Sequence, residues 1–342
     1  MGLSSHSLIC IYFKYQAFGY KACFPLLASV PPASAYFAVE SSSMAYTPST
    51  LKPEEVASLM VQYGVKKHRD RYESIFIKAF MAGAMLSFGG LLSEVLQGGA
   101  GGLNGSNPGI VKVLGGFVFP VGLVMIVLQG QELLTSNMMI FPMAVAKRAI
   151  PWWSLPVNWI IVFFGNLAGS LFFAAILVHY SGIVSAEPYA SFIKTFAIHK
   201  AHDPQWHQIF LRGIGCNWLV SVAVWQAAAA RDTISKIFAI WIPIWIFVAC
   251  GFDHVVANMF SVPLGIMFGA PMTVNQYIGK SVIAAFLGNA IGALFVALPA
   301  VYFYLSDNHG SRLRDAETGE VLNEGSLSSN GGEKERSTTH IE

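Results

Sequence analysis

Two short stretches hold most of the side chains able to do chemistry. GFDHVVANMF at 251–260 sets an acid, Asp253, beside an imidazole, His254, and GQELLTSNMM at 130–139 sets an acid, Glu132, just ahead of a hydroxyl, Thr135. A carboxyl next to a histidine suits acid–base work, metal ligation, proton handling or the holding of an anion. The surrounding sequence narrows that choice. No Gly-rich phosphate loop, nucleophile elbow or paired-carboxylate arrangement accompanies either stretch. His199, His202 and His207 cluster upstream, but they lack a helical i, i+4 pair and no cysteine or nearby paired acid completes a metal set. They read as a solvated loop, so no metal, no cofactor and no catalytic residue is expected.

Both stretches lie within apolar runs. The 342 residues are 54% hydrophobic and 12% charged, with mean hydropathy +0.53, against about 25% charged in soluble domains. Lipid is the expected solvent. A net charge of +2 gives no case for nucleic acid, and KKHRDR at 66–71 reads as a flank of a membrane span. The four cysteines, Cys10, Cys23, Cys216 and Cys250, form no spacing motif and read as free thiols. Runs long enough for a ~30 Å core occur at 74–98, 111–146, 157–180, 209–229, 236–268 and 277–305. The second and fifth are too long for one straight helix. Basic residues gather before the first span, after the second, between the fourth and fifth, and after the sixth, which puts both termini in the cytoplasm. Residues 1–50 read as an N-terminal tail and 51–308 as a six-span domain. Residues 309–342 read as a disordered cytoplasmic tail.

The two long runs are copies of one another. GQELLTSNMMIFPMAV (130–145) aligns with GFDHVVANMFSVPLGI (251–266) without a gap, pairing Gly130 with Gly251, Glu132 with Asp253, Asn137 with Asn258 and Pro142 with Pro263. FFGNLAGSLFF (163–173) aligns likewise with FLGNAIGALFV (286–296), pairing Asn166 with Asn289. Three spans per copy, an odd number, make the repeat inverted. Inverted repeats with interrupted helices point to a transport site at the repeat interface. The fold class is therefore all-α integral membrane, six spans in two inverted three-helix repeats.

A helix interrupted at Gly130 or Gly251 presents backbone N–H groups at the start of its second half, and these attract an anion. Asn137 and Asn258 are expected to tie the broken ends together. Glu132 and Asp253 are expected to accept hydrogen bonds from loop backbone and hold the breaks open, with direct substrate contact as the other reading. Asn166 and Asn289 suit close helix packing with an asparagine across the interface as well as a pore role. His254 has Leu133 as its repeat mate, so the site holds one titratable imidazole, and intramembrane ionisable groups mark function by default. It could donate a hydrogen bond to an anion or give it a proton.

With GQELLTSNM, FFGNLAG, NWLVSVAVW, GFDHVVANMFSVPLG and GNAIGA in this order, the chain resembles the formate/nitrite transporter family over about residues 50–308. The resemblance implies an aquaporin-like protomer in a homopentamer, with one anion pore per protomer. It implies that His254 and Thr135 face the anion, with constrictions at Phe119 and Phe247 on the outer side and at Leu123, Leu133 and Val220 on the inner side. Asn217 matches a span-four asparagine, and Lys200 a lysine at the outer mouth. Asp253 stands where many bacterial members carry glutamate, which shortens the reach of the carboxylate. Tails and loops look like the fungal branch, where nitrite uptake is the expected task. The implied partners are nitrite or formate, a proton, membrane lipid (plasma membrane) and further copies of the chain. A neutral-solute channel of the aquaporin type and a membrane metalloenzyme using His254 with the 199–207 histidines are the competing classes. The small-residue faces AGAMLSFGG and GNAIGALF are read as surfaces for packing protomers together.

Overall fold

A computed structural model describes residues 49–306; the tails expected on either side fall almost wholly outside them. The order is α1 (Pro53–Arg69), α2 (Tyr72–Gly99), a short α3 (Gly101–Ser106), α4 (Pro108–Val118), α5 (Val121–Leu128), α6 (Leu134–Ala146) and α7 (Ser154–Phe172), which runs on in π geometry to Tyr180. The second half follows with α8 (Tyr189–Ala197) and a π turn to His202, α9 (Trp206–Ala229), α10 (Thr233–Cys250), α11 (Val255–Met267), a single turn α12 (Val274–Gln276), a π segment to Val282 and α13 (Ile283–Tyr304).

Five of these stretches are long and apolar enough to cross a membrane: 72–99, 108–128, 154–180, 233–250 and 274–304. α9 has the length, 24 residues, but carries Arg212, Asn217 and Gln226. The breaks fall where the repeat puts them. Gly130 and Gly251 adopt φ +63° and +83°, a left-handed conformation that side chains with a Cβ rarely take, and each chain turns there before the half-helices α6 and α11 begin. Cys216 is buried and Cys250 exposed, both as free thiols.

The small-residue faces meet inside the chain. A Cβ added to Gly169 would lie 1.9 Å from the Phe80 carbonyl oxygen, and one added to Gly292 would lie 2.2 Å from that of Ile214. So α7 packs backbone to backbone on α2, and α13 on α9, through equivalent glycines. These faces are therefore unavailable for joining protomers, which corrects their reading from sequence. Without a hydrophobic force between helices in lipid, such close approach is what holds the spans together.

The repeat is larger than three spans. α1 packs on α6 as α8 packs on α11, and Gly64 meets Ala144 as Ala197 meets Gly265. α1 was legible in principle: Pro53 at its first position, Glu54 and Glu55 in the first turn, and Lys66, Lys67, His68 and Arg69 in the last. α8 replaces the loop expected over 181–208. Its π turn carries His199 and His202, whose ring nitrogens hydrogen-bond Asp203 at 2.7 and 3.4 Å. Those contacts hold the Asp203 carboxyl below its usual range. Among the described residues no group of three histidine, cysteine or acidic side chains could hold a metal.

Candidate functional site

At each break the same three polar partners recur. Glu132 Oε1 meets Lys67 Nζ at 2.5 Å, and its Oε2 accepts from Asn137 Nδ2 at 2.8 Å. Asp253 Oδ1 meets Lys200 Nζ at 3.1 Å and Asn258 Nδ2 at 3.4 Å. The acids are thus held by lysine and asparagine side chains, not by loop backbone as expected. The shorter aspartate serves both partners through one oxygen and leaves Oδ2 without a hydrogen bond; Arg212 stands 4.0 Å from it. Lys67 is a functional-site residue that sequence reading left in a basic flank. Sequence separation gave no signal for it, since Lys67 lies 65 residues before Glu132 and Lys200 lies 53 before Asp253.

The broken ends are clamped by a different pair from the one expected. Asn166 Oδ1 accepts from Leu134 N–H at 3.0 Å while its Nδ2 donates to the carbonyls of Ala79 and Glu132. Asn289 Oδ1 accepts from Val255 N–H at 2.8 Å while its Nδ2 donates to Gly213 and Asp253. Each amide stitches the first turn of a half-helix to the loop before it and to the neighbouring span. Asn289 therefore has no donor left for a solute. Of the backbone N–H groups at the starts of the two half-helices, those of Leu134 and Val255 are filled by these amide oxygens. Asn217 is likewise committed, its Nδ2 donating to the backbone of Thr135 and Asn289 at 3.1 and 2.9 Å. It positions the Thr135 backbone and does not present a donor.

Between the two breaks lies a polar contact with no repeat counterpart. Thr135 Oγ1 and His254 Nε2 are 3.0 Å apart, and both side chains are buried. His254 caps α11, its Nδ1 accepting from Ala257 N–H at 3.0 Å. That bond fixes the tautomer: the proton sits on Nε2, so the ring donates to Thr135 Oγ1 and leaves the threonine hydroxyl hydrogen free to turn elsewhere. The repeat mates are Leu133 for His254 and Val256 for Thr135, so the site's polarity comes from two positions where the halves differ.

Aromatic rings close over this pair. The Phe247 ring stacks on His254 at 5.9 Å, and Phe119 meets Phe247 edge-on at 5.8 Å. A cavity of about 150 Å³ is lined by Phe119, Phe247 and His254 together with Lys112 and Lys200. Leu123, Leu133 and Val220 are all buried in the apolar core that also contains the two phenylalanines. Lys200 lines the cavity, is 20% exposed and donates to Phe252 O and Asp253. Glu94, inside the first span, lines the same cavity and was passed over in the sequence, although an acid within LLSEVLQGG is the kind of intramembrane group that marks a site.

The formate/nitrite transporter family profile matches residues 54–303. The chain belongs to that family. A probable formate transporter of Methanothermobacter thermautotrophicus is 38% identical over 75% of this chain and 97% of its own length. The formate channel BtFdhC of Bacillus thuringiensis is 38% identical over 70% and 90%. An uncharacterized transporter of Saccharomyces cerevisiae is 32% identical, with this chain spanning 40% of it. Among solved structures, a pentameric formate channel with formate bound is similar at TM-score 0.60 and 29% identity, covering 69% of this chain and 98% of that one. An FNT family ion channel reaches 0.66 at 26% identity, covering 74% and 99%. This family member is thus a multi-pass membrane transporter of formate/nitrite-type anions and not an enzyme.

Proposed function

We propose that each protomer conducts nitrite or formate along a path that passes the Phe119–Phe247 pair, the Thr135–His254 contact and the Leu123, Leu133 and Val220 side chains in that order. The Thr135–His254 pair carries this reading. Among the described residues it is where side chains from the two breaks hydrogen-bond to each other, and it lies under an aromatic lid in an otherwise apolar core. A monovalent anion leaving water for such a core loses several kcal/mol, and a threonine hydroxyl with a free hydrogen can return part of that.

The assembly is a homopentamer, in line with the pentameric formate channel this chain resembles, and its site is the plasma membrane with both termini cytoplasmic. Passage is proton-linked. With His254 Nδ1 occupied by Ala257 N–H, the imidazole acts as a hydrogen-bond donor and the proton reaches the anion from elsewhere. Uptake of labelled nitrite and formate into proteoliposomes, with and without a pH gradient, tests the reading. Accumulation driven by an inward proton gradient supports it, and a purified pentamer that passes neither anion refutes it.

A further inference from the structure

Glu94 is 2% exposed, and neither carboxyl oxygen makes a hydrogen bond, although the Ser261 hydroxyl faces it from α11. The other polar groups around the cavity are committed elsewhere. Ser93 Oγ donates to Gly115 O and receives from Gln97; Lys200 is held by Asp253 and Phe252; His254 is held by Thr135 and Ala257; Asn258 donates to Asp253 and Ser281. Lys112, on α4, is exposed and forms no ion pair with Glu94. Lys112, Lys200 and His254 are the titratable groups that share the cavity with Glu94. Among the other elements packed on α2, His179 and Lys194 are not among its lining residues. A carboxyl left without a partner in a cavity that leads to an anion site has two states with opposite effects. Ionised, it repels the anion at short range in a poorly screened space. Neutral, its O–H can donate to an anion held in the cavity that Glu94 lines.

We propose that Glu94 is a proton-gated subsite for the permeating anion on the Phe119–Phe247 side. The neutral acid donates its O–H to a small monovalent oxyanion resting above the aromatic pair; the ionised form closes the vestibule to it. The gate belongs to one side of the membrane only. α2 aligns with α9 through Lys78 and Arg212, Ala79 and Gly213, and Leu86 and Val220, which sets Ala228 opposite Glu94. The second half has no equivalent acid. The proposal rests on the anion path described above, but it fails separately from it.

The test compares wild type with Glu94→Gln, which keeps a donor of the same shape and cannot ionise. Formate flux is measured in oriented proteoliposomes while pH is stepped on each side in turn. Titration of the substrate itself contributes equally to both proteins, so the variant-to-wild-type ratio isolates the gate. That ratio should stay near one at acid pH and rise towards about tenfold per unit on the alkaline limb, with pH stepped on the vestibule side only. The same ratio at every pH, or a variant faster even at acid pH, overturns the proposal. Infrared difference spectra give a readout that does not depend on the variant's flux. Wild type should show the carbonyl band of a protonated carboxylic acid that shifts on adding formate and is missing from Glu94→Gln, and a wild-type spectrum without that band refutes the gate. If wild type itself carries no formate, the anion path is what has failed.

Discussion

Thr135 Oγ1 lies 3.0 Å from His254 Nε2, and the other imidazole nitrogen is filled by Ala257 N–H. The ring is therefore a neutral donor wedged between the two helix breaks, and protonating it means releasing the α11 cap. His254→Asn keeps both functions, since an asparagine oxygen caps a helix well and its amide donates. Flux through this variant should stay within about tenfold of wild type with the pH profile retained. His254→Leu, which imports the repeat mate, removes a hydrogen bond on the anion's route worth about 1.5–3 kcal/mol, a loss of roughly tenfold to a hundredfold. If His254→Leu transports as wild type does, the ring only packs.

Thr135→Val tests the hydroxyl at constant shape, again with the residue type found at its repeat mate, Val256. Thr135→Ser should retain transport, while Thr135→Val should lose about tenfold in formate flux without a change in melting temperature. A Thr135→Val protein with unchanged flux would remove the hydroxyl from the path.

Asn289 and Asn166 call for the opposite outcome. Each amide is buried with all three of its hydrogen bonds made to backbone, so Asn289→Leu orphans Val255 N–H and two carbonyls at once. At about 1–3 kcal/mol for each abandoned group, the pentamer should lose thermal stability or fail to assemble. Size-exclusion chromatography on heated samples reads this directly. A stable Asn289→Leu pentamer with impaired flux would return the residue to the pore.

Much of this was legible in the chain because an inverted repeat prints its own evidence. Gly130 and Gly251 located both breaks, and the GNxxG pairs located the packing faces, since each observation came twice. What the comparison of halves could not rank was how each polar atom would be spent. Asn137, Asn258, Asn166 and Asn289 are alike as residue types, and only the packing of α7 and α13 decides that the latter two clamp the backbone while the former hold the acids. Lys67 and Glu94 escaped for another reason. Lys67 lay in a run of basic residues that suits a cytoplasmic flank, and Glu94 has no counterpart in the second half to draw attention to it.

A lysine that gathers anions at the outer mouth acts through a field that salt screens over about 8–10 Å. The ion pair of Lys200 with Asp253, whose carboxylate is fully buried, predicts a different signature. Lys200→Ala leaves that carboxylate without its cation, and stripping one partner from a buried pair costs about 3–5 kcal/mol. The loss should appear as lowered melting temperature together with lowered flux, and raising salt should rescue neither. Pairing the change with Asp253→Asn should recover part of the stability, because the amide is neutral and Asn258 remains beside it. The equivalent Lys67→Ala and Glu132→Gln cycle at the other break should behave alike, since the 2.5 Å contact there is also largely hidden from water. Flux restored to wild type by high salt in Lys200→Ala, with stability unchanged, would put the lysine back at the mouth as a screening-sensitive attractor.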